Sequence, residues 1–196
     1  MPIFAMFLQN YFTLMRKLGY VILFLVVLIP LSAQPRSEKW AKAVNSDYVE
    51  NFFRIDDEFF RSANLSSNAF KELELLGILE VINLRTYHSD ISASKGTSIK
   101  LYRVKMDAHH IREKDVIEVL RIINERNGKI LVHCKHGSDR TGLIVAMYRI
   151  IFQNWSKKDA IDELVNGGYG YHTVFSNIPK FIENADIARI KNAVLE

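Results

Sequence analysis

The sequence predicts an α/β fold with a central, mostly parallel sheet flanked by helices. Short apolar runs of β-type residues alternate along the chain with segments whose apolar residues recur at helical spacing. One such transition runs from Ile130-Leu131-Val132 through a polar, glycine-containing loop into Leu143-Ile144-Val145-Ala146-Met147-Tyr148, which reads as strand, loop and helix. A chain of 196 residues with 48% apolar and 24% charged residues suffices for one sizeable core but not two.

In chain order, 34–50 is polar and irregular and reads as a linker, with the folded domain over 51–196. Asn51–Ile55 and Glu58–Arg61, split by Asp56-Asp57, read as a β-hairpin. Ser66 or Ser67 caps a helix that presents Phe70, Leu73 and Leu76 on one face, and Gly77 ends it. Leu79–Leu84 is a short strand, His88–Thr97 a polar loop, and Ile99–Val104 an alternating strand. Glu113–Asn127 is a helix with Val116, Val119, Leu120 and Ile123 inward, closed by Gly128. After the Ile130 strand a helix starts near Thr141. Ser156 with Asp159 forms a capping box for the next helix, and a last helix follows Pro179.

The first 33 residues have a different character. Arg16-Lys17 precede an apolar stretch from Leu18 to Ile29, then Pro30 and the small residues Ser32-Ala33. A basic start, an apolar stretch and a small-residue end read as a secretory signal peptide cleaved after Ala33, with Met15 as an alternative start. The alternative is an uncleaved membrane anchor, since no charge falls between Lys17 and Arg36. Both place the body outside the cytoplasm, in the periplasm or tethered to the inner membrane. The net charge is +4, of which Arg16 and Lys17 supply two, leaving +2 on a body whose basic residues are scattered. That balance argues against a nucleic-acid partner. A single cysteine excludes an intrachain disulfide.

That cysteine stands in His133-Cys134-Lys135-His136-Gly137-Ser138-Asp139-Arg140-Thr141-Gly142. A thiol on a tight loop before a helix N-terminus faces inward-pointing amides and the positive end of the helix dipole, which favour a thiolate nucleophile. Arg140, six residues on, adds a planar charged fork that matches two phosphate oxygens. Gly137 is read as holding a backbone conformation that other residues resist.

Cys-x5-Arg followed by Thr resembles the signature loop of the protein tyrosine phosphatase superfamily. Gly137, together with the segments Phe60–Leu65, Leu76–Arg85 and Gly167–His172, makes the chain most similar to the bacterial dual-specificity branch. The resemblance covers residues from about Phe52 to about Ile187. It implies a cysteine-phosphatase fold and hydrolysis of protein phosphotyrosine, with phosphoserine or phosphothreonine in reach, through a phosphocysteine intermediate and with no metal or other cofactor. Cys134 is then the nucleophile and Arg140 the phosphoryl ligand. Lys135, His136, Gly137, Ser138, Asp139 and Thr141 form the phosphate-binding loop. Thr141 is expected to hydrogen-bond the thiolate, to cap the following helix, or both.

The leaving group needs a proton. Asp107, after the Ile99 strand and 27 residues before Cys134, takes that role by resemblance, with Asp90, Asp115 and Asp139 as rivals. The Trp-Pro pair that flanks this acid in many tyrosine phosphatases is absent. Asp139 is expected to orient Arg140 or water, and His133 to hold loop backbone. Lys135 and His136 either raise the positive potential at the mouth or are simply solvated surface. A metal site built from His109, His110, His133 and Cys134 is disfavoured, because no paired carboxylate–histidine motif accompanies it. Lys135 and Asp139 also occur in lipid-acting relatives, so a phosphoinositide or inositol-phosphate phosphatase is the alternative. A silent phosphate-binding module is the reading outside enzymes. The partner implied is a phosphorylated protein, such as the periplasmic domain of a membrane signalling protein.

Overall fold

The computed structural model describes Arg16 and residues 36–196. The leader or anchor expected over 1–33 therefore lies, but for Arg16, outside the described residues. Among those described, no helix is long and apolar enough to cross a membrane.

Six strands form one sheet: β1 (Lys42–Ala43), β2 (Phe53–Arg54), β3 (Phe59–Ser62), β4 (Ile78–Asn83), β5 (Lys100–Arg103) and β6 (Lys129–His133). Their order is β1-β2-β3-β6-β4-β5. The first three pair antiparallel, while β3, β6, β4 and β5 run parallel, so the mostly parallel sheet expected from the sequence is present. The helices are α1 (Ser67–Leu75), α2 (Glu113–Asn124), α3 (Asp139–Gln153), α4 (Lys157–Asn166), α5 (Asn177–Asn184) and α6 (Ile187–Leu195), with a 3-10 turn at Thr173–Phe175.

Strand β6 lies between β3 and β4, so it must be apolar on both faces. Ile130 and Val132 enter the larger core with Phe59, Ile82, Val119, Leu120 and the apolar residues of α3. Leu131, pointing the other way, joins Phe60, Phe70, Leu73 and Val81 in a smaller core beneath α1. Helix α3 is buried on nearly every side from Thr141 to Ile151, which explains its lack of a polar stripe. The sequence-derived caps are present. Ser66 Oγ accepts from Ala69 N at 3.2 Å and Ser156 Oγ from Asp159 N at 3.0 Å.

Four expectations need correction. Residues 37–50 are not a linker: Ser37–Glu196 forms one compact unit, β1 joins the sheet, and Ala41 is buried with its N–H donating to Glu163 Oε1 at 2.7 Å. Leu76 is not on the buried face of α1: the helix ends at Leu75, Leu76 caps it and is exposed, and Gly77 at φ +76° turns the chain after it. Helix α2 stops at Asn124, so Gly128 (φ +111°) shapes the turn into β6 rather than capping the helix. The last helix is two. Pro179 sits in the first turn of α5, where its missing N–H leaves no intrahelical bond unmade, and Ala185 and Asp186 separate α5 from α6.

Candidate active site

The parallel strands end at Asn83, Arg103 and His133, and the Cys134 loop leaves β6 at that edge, where ligands of open α/β sheets bind. The loop's form follows from where its carbonyls go. Cys134 O faces His133 Nδ1 at 3.2 Å, and Lys135 O accepts from Asn64 N at 3.1 Å. His136 O accepts from Asn51 Nδ2 at 2.8 Å, and Gly137 O from Arg61 Nη2 at 2.5 Å. Four successive carbonyls thus face outward, three of them held by donors. In a planar trans peptide the following N–H points the opposite way, so the amides of Lys135, His136, Gly137 and Ser138 face the hollow of the loop. Together with the N-terminus of α3 they make an anion cradle around Cys134.

Gly137 is obligatory twice over. It adopts φ +73°, and a Cβ there would lie 2.6 Å from the Ser62 carbonyl oxygen, which is backbone and cannot turn aside. Asn51 reaches the loop from its own left-handed conformation (φ +51°) and also donates to Tyr169 O at 2.9 Å, joining loop and 169–172 turn. Ser138 Oγ makes a second such link, donating to Tyr169 O at 2.6 Å.

The side chains sort themselves by partner. His133 is fully buried, and its Nε2 bonds Asp90 Oδ2 at 2.7 Å. The other oxygen of Asp90 accepts from Arg85 Nη2 at 2.5 Å. Asp90 is therefore a structural anchor for β6 and Arg85 and is removed as a rival acid. Asp115 pairs with Arg112 at 2.8 Å on α2 and is removed likewise. Asp139 does not orient Arg140: its carboxylate accepts from the backbone N–H of His172 at 2.9 Å and faces that residue's Nδ1 at 2.9 Å. Arg140 is held instead by the strand ends, its Nη1 donating to Leu84 O and Met106 O at 3.3 Å each. The Thr141 hydroxyl is buried and makes no hydrogen bond among the described residues, so the expected bond to the thiol is not made here.

A cleft of about 520 Å³ opens at the loop, lined by Arg140, Lys135, Arg85, Asp107, Met106 and Phe175 among others. Asp107 is exposed and accepts from His109 N at 2.9 Å, so the carboxylate caps its own turn at the cleft's edge. Cys134, next to the lining residue Lys135, is 1% exposed. The metal set considered from the sequence does not converge, since His133 is locked on Asp90 while His109 stacks on Phe175. A different trio, His136, Asp139 and His172, brings ligand-type atoms within 4.8 Å of one another at the rim, with the carboxylate already engaged by His172.

A model of the tyrosine phosphatase family matches residues 48–193. The chain belongs to that family. Membership makes it a phosphatase, and its match to a bacterial dual-specificity enzyme agrees with the branch that the loop predicted. The dual specificity protein phosphatase TpbA of Pseudomonas aeruginosa is 32% identical over 83% of this chain and 74% of its own length. Its crystal structure superposes with a TM-score of 0.74 at 30% identity, covering 82% of this chain and 99% of that one. A cysteine-to-serine form of TpbA has been solved in complex with phosphotyrosine. Inositol diphosphatase DSP5 of Arabidopsis thaliana is 32% identical over 74% of both chains. The catalytic core of the PP-IP phosphatase SIW14 of Saccharomyces cerevisiae superposes at TM-score 0.64 and 28% identity, covering 78% of this chain and 98% of that one.

Within this family fold the structure brings Arg140, Lys135 and Asp107 to one cleft, while Cys134, Gly137, Ser138 and Thr141 are buried in the same loop. His136 and Asp139 turn toward His172, with the His136 and His172 rings 5.1 Å apart. Sequence reasoning gave no role to Asn51, Arg61 or Asn64. Only the carbonyls they satisfy reveal one.

Proposed function

We propose that the protein hydrolyses phosphomonoesters by attack of the Cys134 thiolate on phosphorus, giving a phosphocysteine that water then opens. The observation that carries this reading is the amide cradle, which surrounds Cys134 with four inward N–H groups and places the charged fork of Arg140 beside it. As the P–O bond breaks, charge spreads over the phosphoryl oxygens, where the amides and Arg140 stabilise it. Asp107, across the cleft, donates the proton to the departing oxygen and then takes one from the attacking water.

Phosphotyrosine in a protein is the substrate that fits best, with phosphoserine and phosphothreonine as shorter alternatives. Met106, Ala108, Phe175 and Tyr87, the last 90% exposed, give the cleft apolar and aromatic walls for a phenyl ring. A second reading has its own observation. Of the Lys, Arg, Asp and Glu side chains lining the cleft, Arg85, Lys135 and Arg140 are cationic and Asp107 alone is acidic, a balance that suits an inositol polyphosphate.

One experiment addresses acid and substrate together. Asp107→Asn is expected to slow hydrolysis of a phosphotyrosine peptide by roughly 10²-fold or more, and to leave an aryl phosphate with a strongly acidic phenol near its wild-type rate. Equal slowing of both would make Asp107 a loop-positioning residue. Rates on phosphotyrosine peptide, phosphoserine peptide and an inositol polyphosphate, compared as kcat/KM, rank the two readings.

Export by the leader over 1–33 would put the site in the periplasm, facing phosphorylated periplasmic proteins or the outer domains of membrane signalling proteins. A fusion to a reporter active only after export is expected to be active with residues 1–33 and silent without them. A silent full-length fusion would return the enzyme and its substrates to the cytoplasm.

A further inference from the structure

Arg61 is the buried charge at this site that the chemistry above does not use. It is fully buried on β3. Its Nη2 donates to Gly137 O at 2.5 Å, its guanidinium lies 3.7 Å from the Tyr169 ring centroid, and its Nε and Nη1 have no partner. Among the described residues it forms no ion pair. A buried guanidinium in that state is costly. Burial pushes its pKa down to about 10, a fall that nearby Tyr169, Glu163 and Cys134 offset in part and Arg149 reinforces. It therefore stays charged at neutral pH.

The neighbouring charges are already matched. Glu163 grips Arg149 through both oxygens, at 2.8 and 3.1 Å, and also accepts from Tyr169 OH at 2.9 Å. Asp90 serves His133 and Arg85, and Asp139 faces His172. Arg140 stands at the cleft, and Lys135 and His136 are solvent-exposed. Beneath the loop one positive charge is left over, and its strand is fixed to the nucleophile's own: Arg61 pairs with Val132 and Ser62 with His133, one residue short of Cys134. Gly142 of α3 packs close by, since a Cβ built there would lie in ordinary contact with Arg61 Nη2, at 3.9 Å.

We propose that Arg61 is the buried counter-charge of the Cys134 thiolate. It is a positioning residue that favours the ionised nucleophile from beneath the loop, while its bond to Gly137 keeps the Ser138 N–H turned toward the phosphoryl group. Attraction across a dry interior is stronger than between the same charges in water. The same charge favours the thiolate as leaving group when water takes the phosphoryl group from sulfur. This rests on Cys134 being the nucleophile.

The test is the rate of Cys134 alkylation by iodoacetamide against pH, in wild type, Arg61→Gln and Arg61→Lys. Glutamine keeps an N–H for Gly137 without the charge, and lysine keeps the charge without the fork. Arg61→Gln is expected to move the alkylation midpoint up by about one pH unit or more, a tenfold loss of thiolate on the acid side. The acid limb of its kcat/KM profile should move with it, and Arg61→Lys should titrate close to wild type. A folded Arg61→Gln with the wild-type midpoint overturns the proposal. Should Arg61→Gln fail to fold, Arg61→Lys decides: a midpoint near wild type supports the charge, and one moved to that of free cysteine overturns it. A wild-type midpoint equal to that of free cysteine would instead remove the nucleophile reading itself, so the two failures are distinguishable.

Discussion

Cys134→Ser is expected to lower turnover of every phosphomonoester substrate by roughly 10⁴-fold or more while leaving the fold intact, because the nucleophile itself is removed. A serine hydroxyl is not ionised near neutral pH, and His133 does not supply a base to activate it: it is fully buried, with Nε2 on Asp90 and Nδ1 facing Cys134 O. The loop does not depend on sulfur for its form. Its carbonyls are held by Asn64, Asn51 and Arg61, none of which touches the thiol through those bonds. The serine variant should therefore still bind vanadate or phosphotyrosine peptide, seen as a ligand-induced rise in Tm. Phosphate release in a single-turnover assay is the direct measurement, and turnover within a hundredfold of wild type would sink the phosphocysteine route.

The difference between what the sequence shows of this site and what it hides lies in how far each interaction reaches along the chain. The nucleophile, the phosphate-binding arginine and Gly137 are local. They occupy one strand–loop–helix transition, and the demands on each residue type follow from the backbone's own geometry. The groups that hold the loop open are remote. Gly137 O is met by Arg61, 76 residues away, and His136 O by Asn51, 85 away. Nothing in periodicity or composition predicts which side chain will satisfy a given carbonyl. Asp90 shows the same limit. As a sequence position it is a loop carboxylate and so a rival acid, and only its burial against His133, 43 residues on, gives it a structural role. Residues 37–50 read as a linker because their polar composition hides two buried anchors, Ala41 and Val49, too few for a periodic signal. The fold class was legible because Ile130-Leu131-Val132 and the apolar α3 state directly that both are central.

Arg140→Lys should fall nearly as far as the loss of the nucleophile, by roughly 10³-fold in kcat/KM, although the charge is conserved. In the resting structure Arg140 Nη1 is shared between Leu84 O and Met106 O, the carbonyls just past β4 and two residues beyond β5's following Val104. Those two bonds fix the plane of the guanidinium and leave its other donors for phosphoryl oxygens, so the fork is aligned before substrate arrives. A lysine ammonium has three donors about a single point. Satisfying two carbonyls leaves it one, and leaving the carbonyls for the phosphate strands them at the half-buried edge of the sheet. The arginine's advantage grows as the phosphoryl group flattens toward the transition state and its oxygens spread into one plane, so kcat should drop more than KM rises. The check is steady-state kinetics of Arg140→Lys beside Arg140→Met on phosphotyrosine peptide. A lysine enzyme retaining more than about a tenth of wild-type kcat/KM would mean that charge alone suffices and that the bidentate geometry contributes little.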